Sequence, residues 1–162
     1  MPPKVVAVAA GEAHTLALTG DGQVYSWGRG PFGRLGNGRE DDKLVPTAVA
    51  PAVSASGTPR PRFVAVAAGA YHSLALDDEG SLWSWGYNLY GQLGYGDQNS
   101  LFPCFVEQFQ DLGSPETLND EDQNTRGRTC LKLSSVTAGG MMSLGIDSLG
   151  SLWMWGELPT AD

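Results

Sequence analysis

Large and small side chains alternate along three short stretches of the chain. His14, Leu16 and Leu18 are interleaved with Thr15 and Ala17; His72, Leu74 and Leu76 with Ser73 and Ala75; Met142, Leu144 and Ile146 with Ser143 and Gly145. A period of two predicts a β-strand in each stretch. One side of each strand carries large residues and the other small ones. The pattern predicts a neighbouring sheet packed closely on the small side, and strands covered on both faces. Each strand runs into a four-residue turn ending in glycine, at Gly22, Gly80 and Gly150. Glycine there fits a backbone with positive φ. A hairpin partner follows over Val24–Trp27, Leu82–Trp85 and Leu152–Trp155. Its rings fall on one face: Tyr25 with Trp27, Trp83 with Trp85, Trp153 with Trp155. All five tryptophans of the chain lie in this second strand. Each buried ring of that size contributes on the order of 2–3 kcal/mol through apolar area.

These stretches are copies of one unit. Gly11 to Gly28, Gly69 to Gly86 and Gly139 to Gly156 each span 17 positions, with Trp27, Trp85 and Trp155 just before the last glycine. The copies themselves start 58 and 70 residues apart. A fixed unit with variable connections predicts a repeat scaffold with variable loops. The expected layout is one repeat domain over 1–162: a first repeat about 5–50, a linker 51–61, a second repeat about 62–110, an acidic insert 111–131 and a third, shorter repeat about 132–158.

Composition narrows the function classes. Apolar residues make up 41% of the 162 and charged residues 17%, which suits a folded chain. The 22 glycines suit many tight turns. A net charge of −8 disfavours DNA, chromatin and anionic membranes as partners. Arg60 and Arg62 form too short a basic run to reverse that. Cys104 and Cys130 have no metal-like spacing and make no disulfide framework, so an intracellular setting, cytoplasm or nucleus, is expected. No stretch has the length of a membrane span.

After the hairpin, copies one and two continue as Gly28-Arg-Gly-Pro-Phe-Gly33-Arg-Leu-Gly36 and Gly86-Tyr-Asn-Leu-Tyr-Gly91-Gln-Leu-Gly94, whereas copy three runs into Glu157-Leu-Pro-Thr-Ala-Asp162. The V-A-A-G-x-x-H-[TS]-L-A-L strand, the aromatic-x-W-G strand and the N-x-x-G-Q-L-G loop together resemble the repeat of the regulator of chromosome condensation family. That resemblance implies an all-β propeller, usually of seven blades. Three units make an incomplete propeller, with small-residue faces expected at both ends. Such a chain is expected to be a piece of a larger ring, or to associate with itself to complete one. The resemblance also implies three functions. Guanine-nucleotide exchange on a small GTPase needs a wedge loop that these repeats do not show. Ultraviolet-B sensing uses tryptophans just after the first glycine of the repeat, where this chain has Glu12, Ala70 and Gly140. Plain protein binding needs only variable loops on a rigid frame. A non-enzymatic protein-interaction module is therefore the favoured function. A regulator of a small GTPase is the alternative, and a fragment of an ultraviolet-B-receptor-like signalling protein is the second.

Candidate partner-binding residues are Arg29, Phe32 and Arg34 in the first loop, and Tyr87, Leu89 and Tyr90 in the second, since aromatic residues and arginine dominate binding hot spots. The competing expectation is that these rings pack between blades. Gly11, His14, Trp27, Gly28, Gly69, His72, Trp85, Gly86, Gly139, Trp155 and Gly156 are expected to be structural. The two histidines lack carboxylate or cysteine partners, and Met142 replaces them in copy three, so each is expected to be a core group bonded within its own blade. Gly28–Gly33 fits G-x-G-x-x-G, but no helix can follow it, so no nucleotide site is expected. No cofactor, metal or catalytic residue is called. The insert 111–131 is expected to be a solvated acidic loop, with a partner-binding or regulatory loop as the alternative.

Overall fold

A computed structural model describes residues 3–50, 61–106 and 132–157. Positions 51–60 and 111–131, which hold most of the expected linker and all of the acidic insert, lie outside the described residues. The rest forms three antiparallel sheets. Blade one pairs β1 (Val5–Ala10), β2 (His14–Thr19), β3 (Val24–Gly28) and β4 (Lys43–Ala48) in that order. Blade two repeats the order with β5 (Phe63–Ala68), β6 (His72–Asp77), β7 (Leu82–Gly86) and β8 (Ser100–Phe105). Blade three holds β9 (Leu133–Gly139), β10 (Met142–Asp147) and β11 (Leu152–Gly156). One short 3-10 turn, Pro31–Gly33, lies in the loop after β3.

The hairpins form where the sequence places them, and their glycines carry the turn. Gly22, Gly80 and Gly150 sit at φ of 86°, 79° and 88°. Side chains of larger residues are strained there. In blades two and three an aspartate fastens the hairpin. Asp77 Oδ1 accepts the Glu79 and Ser81 amides and its Oδ2 accepts Trp83 Nε1 at 3.0 Å. Asp147 does the same with Leu149, Ser151 and Trp153. These bonds favour the charged form and hold the Asp147 carboxyl below the usual range. Blade one has Thr19 and Tyr25 at the two positions. The Thr19 hydroxyl instead bonds Asp21 and accepts the Gln23 amide.

Strand register corrects the expected division into a bulky and a small face. Thr15 pairs with Trp27 and Ala17 with Tyr25; Ser73 pairs with Trp85 and Ala75 with Trp83. Directly paired residues share a face. The rings therefore stand on the same side as the small residues, which leave room for them. The other side carries Leu16, Leu18 and Val24, or Leu74, Leu76 and Leu82.

Unlike faces meet. The aliphatic face of blade one packs on the ring face of blade two, joining Leu16, Leu18 and Val24 to Ala75, Trp83 and Trp85. The aliphatic face of blade two packs in turn on blade three, joining Leu74, Leu76 and Leu82 to Leu133, with Trp153 and Trp155 against them. The stack is thus head to tail, and its two ends differ. Blade one leaves Val5 and Val8 exposed on its ring side, and blade three exposes Ile146, Leu152 and Met154 on its aliphatic side. The expectation of small-residue faces at both ends fails because every seam consumes one face of each kind.

Candidate interaction rim and the blade seams

The two histidines reach across the seams rather than into their own blades. His14 Nε2 lies 2.9 Å from Ser73 Oγ of blade two, and Ser73 Oγ donates at 2.9 Å to the carbonyl of Arg34, back in the blade-one loop. Trp85 Nε1 donates to that same carbonyl at 3.1 Å. The second seam repeats the relay. His72 Nε2 lies 2.8 Å from Ser143 Oγ, which donates at 2.7 Å to the Gln92 carbonyl. Because each serine hydroxyl gives its proton to a carbonyl, it accepts from histidine. The neutral Nε2–H tautomer therefore satisfies every member of the relay. Each bare Nδ1 is buried without a partner. Burial, then Arg34 and His72, pushes the His14 pKa down to about 4, and burial pushes His72 down to about 4.

The relay also explains the glycine three residues before each histidine. A Cβ on Gly11 would stand 2.6 Å from His14 Cε1, and one on Gly69 would overlap the His72 ring. Gly139, which precedes Met142 instead, has open space around it.

The loops after β3 and β7 start at one rim and then dive into the seams. Leu35 and Leu93 are fully buried, and their carbonyls accept the hydroxyls of Ser26 and Ser84 at 2.6 and 2.7 Å. In the second loop the buried Asn88 ties the turn together. Its Nδ2 donates to Tyr95 and Gln98 carbonyls, and its Oδ1 accepts the Leu93 amide. Sequence reasoning missed Leu35, Leu93 and Asn88 as anchors. Their recurrence or near-recurrence in the G-x-L-G loop was the available signal.

At the rim itself the candidate residues divide. Phe32 and Tyr87 come together with ring centroids 4.7 Å apart, and Tyr71, absent from the candidates, completes the cluster at 5.7 Å from Phe32 and 5.9 Å from Tyr87. Arg34 is buried beneath them, its guanidinium 4.4 Å from the Tyr71 ring centroid. Arg29 stands apart in solvent, 3.5 Å from Asp42. Leu89 and Tyr90 project from the second loop, 66% and 45% exposed. Phe32 sits at φ 69°, the one non-glycine with positive φ among the described residues. Backbone held in that region stores of order 1–3 kcal/mol, and such residues gather at binding sites. The rim offers aromatic and aliphatic area, while the Phe32 and Tyr90 amides are held by Glu40 and Gln92. Among the described residues, no group of three His, Cys, Asp or Glu is placed to hold a metal ion.

The repeat pattern is matched by the regulator of chromosome condensation (RCC1) repeat over residues 21–76 and 79–146, and by a second form of that repeat over 5–34 and 63–92. The chain belongs to the RCC1-repeat family. Its similarity extends to the ultraviolet-B receptor UVR8 of Arabidopsis thaliana, 33% identical over 94% of this chain and 29% of the receptor. It also extends to the human E3 ubiquitin-protein ligase HERC2, 31% identical over 94% of this chain and 3% of the ligase. Among solved structures, human WBSCR16 superposes with a TM-score of 0.74 at 26% identity, covering 96% of this chain and 34% of that one. Prp20p of Saccharomyces cerevisiae, described with its binding to Gsp1p and histones, gives 0.65 at 25% identity, over 94% of this chain and 33% of that one. The RCC1-repeat chain therefore spans about a third or less of these relatives. Its fold is the β-propeller of this family, present as three blades among the described residues.

Proposed function

We propose that this RCC1-repeat chain is a protein-interaction module that binds its partner through the aromatic rim at the loops after β3 and β7. The observation that carries this is the pairing of a rigid base with exposed apolar side chains. Leu35, Leu93 and Asn88 lock the loops into the seams, while Phe32, Leu89 and Tyr90 remain in solvent above them. Rigid aromatic anchors bind with little loss of conformational entropy. Binding rather than bond chemistry fits a rim whose titratable histidines are buried in the seams.

The test is proximity labelling or pull-down with the chain in its full-length context, comparing Leu89→Ala/Tyr90→Ala with Asp78→Ala/Glu79→Ala on the opposite rim. Loss of partners only in the first variant supports the rim. Unchanged partners in both would place binding elsewhere, the insert 111–131 being the next segment to delete.

Regulation of a small GTPase is the second reading, supported by the likeness to Prp20p, which binds Gsp1p. Nucleotide release from a panel of GTPases separates it from plain binding. An ultraviolet-B-receptor role is supported by overall likeness to UVR8, but Glu12, Ala70 and Gly140 stand where that resemblance calls for tryptophan. The unlike end faces suit further repeats or a second copy of the chain, stacked head to tail. Solution mass across a concentration series tests self-association.

A further inference from the structure

The two loops differ at one position in a way the fold does not require. Gln92 serves its own loop: its Oε1 accepts the Tyr90 amide at 3.0 Å, and its Nε2 faces Met141 Sδ at 3.5 Å. The equivalent residue in blade one is Arg34, which has donors only. The Phe32 amide, equivalent to that of Tyr90, therefore turns to Glu40 Oε1 at 3.1 Å.

Among the described residues no carboxylate forms an ion pair with Arg34. It is 3% exposed. Nε donates to the Pro31 carbonyl at 3.0 Å and Nη1 makes a long bond of 3.4 Å to the Ala70 carbonyl. The ion pairs among the described residues are Arg29–Asp42 and Lys43–Asp41, so neither engages it. Glu12 and Asp42 act on it only from a distance. Among the described residues its hydrogen bonds come from Nε and Nη1, leaving Nη2 as the open end of the fork. Buried charges are ordinarily paired, because desolvation is costly without a counter-ion. Guanidinium is also the group best shaped to take a carboxylate with two parallel bonds.

We propose that Arg34 receives a carboxylate from a partner polypeptide, seated beside the rings of Phe32, Tyr71 and Tyr87 at the junction of blades one and two. This rests on the interaction rim proposed above and names the chemistry of its partner. The net charge of −8 repels a polyacidic tract. The fitting segment is instead an apolar stretch with a single Glu or Asp, its aliphatic flanks lying on the rings.

The experiment uses two labelled, end-blocked peptides, one with a single glutamate between leucines and its glutamine twin, titrated by fluorescence anisotropy against the full chain. The glutamate peptide binds about tenfold more tightly than its twin, as a desolvated charge-assisted pair requires. Arg34→Gln, which installs the residue blade two uses, erases that ratio while the melting temperature holds or rises; Arg34→Lys restores part of it. Equal binding of the twins to the native chain overturns the proposal. So does a ratio that survives Arg34→Gln, or a melting temperature that falls with the ratio intact. Sodium acetate that displaces the glutamate peptide at equal concentration would reveal a simple anion site and sink the polypeptide source. Leu89→Ala/Tyr90→Ala weakens both twins alike if the rim binds. Loss there with no effect at Arg34 leaves the rim standing and removes only the carboxylate.

Discussion

Acid should open the seams before it unfolds the sheets' other contacts, and the size of the effect follows from the two histidines. In the unfolded chain each imidazole takes a proton near 6.5. In the folded chain it resists until about 4. The unfolded state therefore binds more protons between these values, and stability falls as pH drops from about 6.5 toward 4. Lowering pH from 7 to 5 should cost about 2 kcal/mol per histidine, or about 4 kcal/mol for the pair, by proton linkage. Urea denaturation at pH 7, 6 and 5 measures it. His14→Met, which copies the residue blade three carries as Met142, should remove about half of the slope, and adding His72→Met should remove nearly all of it. Asp147 does not confuse the measurement. Its carboxyl is held below the ordinary range, so its stabilising effect is retained down to pH values under this window. If the double variant keeps the native pH slope, the relay is not what the histidines do.

Three further perturbations read the same seams by other means. Ser73→Ala should cost about 2–3 kcal/mol, because it orphans the His14 Nε2–H and removes a donor from the Arg34 carbonyl; the check is the urea midpoint beside that of an exposed turn serine, Ser148→Ala. Gly69→Ala should cost about 2 kcal/mol or more through overlap with the His72 ring, whereas Gly139→Ala, with open space around it, should stay within about 0.5 kcal/mol; equal melting temperatures for the two would refute the cradle. Trp83→Phe should cost about 1–2 kcal/mol by taking the indole N–H from Asp77, and Tyr25→Phe in blade one, where the hairpin is held by Thr19 instead, should cost less in the same assay.

Period and punctuation made the blades legible. Alternation at 14–18, 72–76 and 142–146 marked the second strand of each blade, and the recurring glycines marked the turns. The division of faces was not legible, because it depends on which residue of β3 stands beside Ala17, and pairing register is invisible in a single strand. The histidine partners escaped for a related reason. His14 and Ser73 are 59 positions apart, and only stacking brings them together. A signal did exist: Ser73 and Ser143 occupy one slot in successive copies, each one blade after a histidine. Among the rim candidates, Arg29, Phe32 and Arg34 read alike, as partner-binding residues or as groups packed between blades. The structure separates them: it buries the Arg34 cation, leaves Arg29 in solvent and holds the Phe32 backbone at positive φ above the cation, a distinction that requires knowing where Tyr71 lies.

The connections between blades leave from the side opposite the aromatic loops. Val49 bonds to Val24 at the start of β3, and Phe63 bonds to Gly22 in the hairpin turn. Length and chemistry are thereby assigned to different ends of the same scaffold. A tether joined beside Val49 or Phe63 would enter at the end away from Phe32, Leu89 and Tyr90, so attachment and binding specificity can be varied separately.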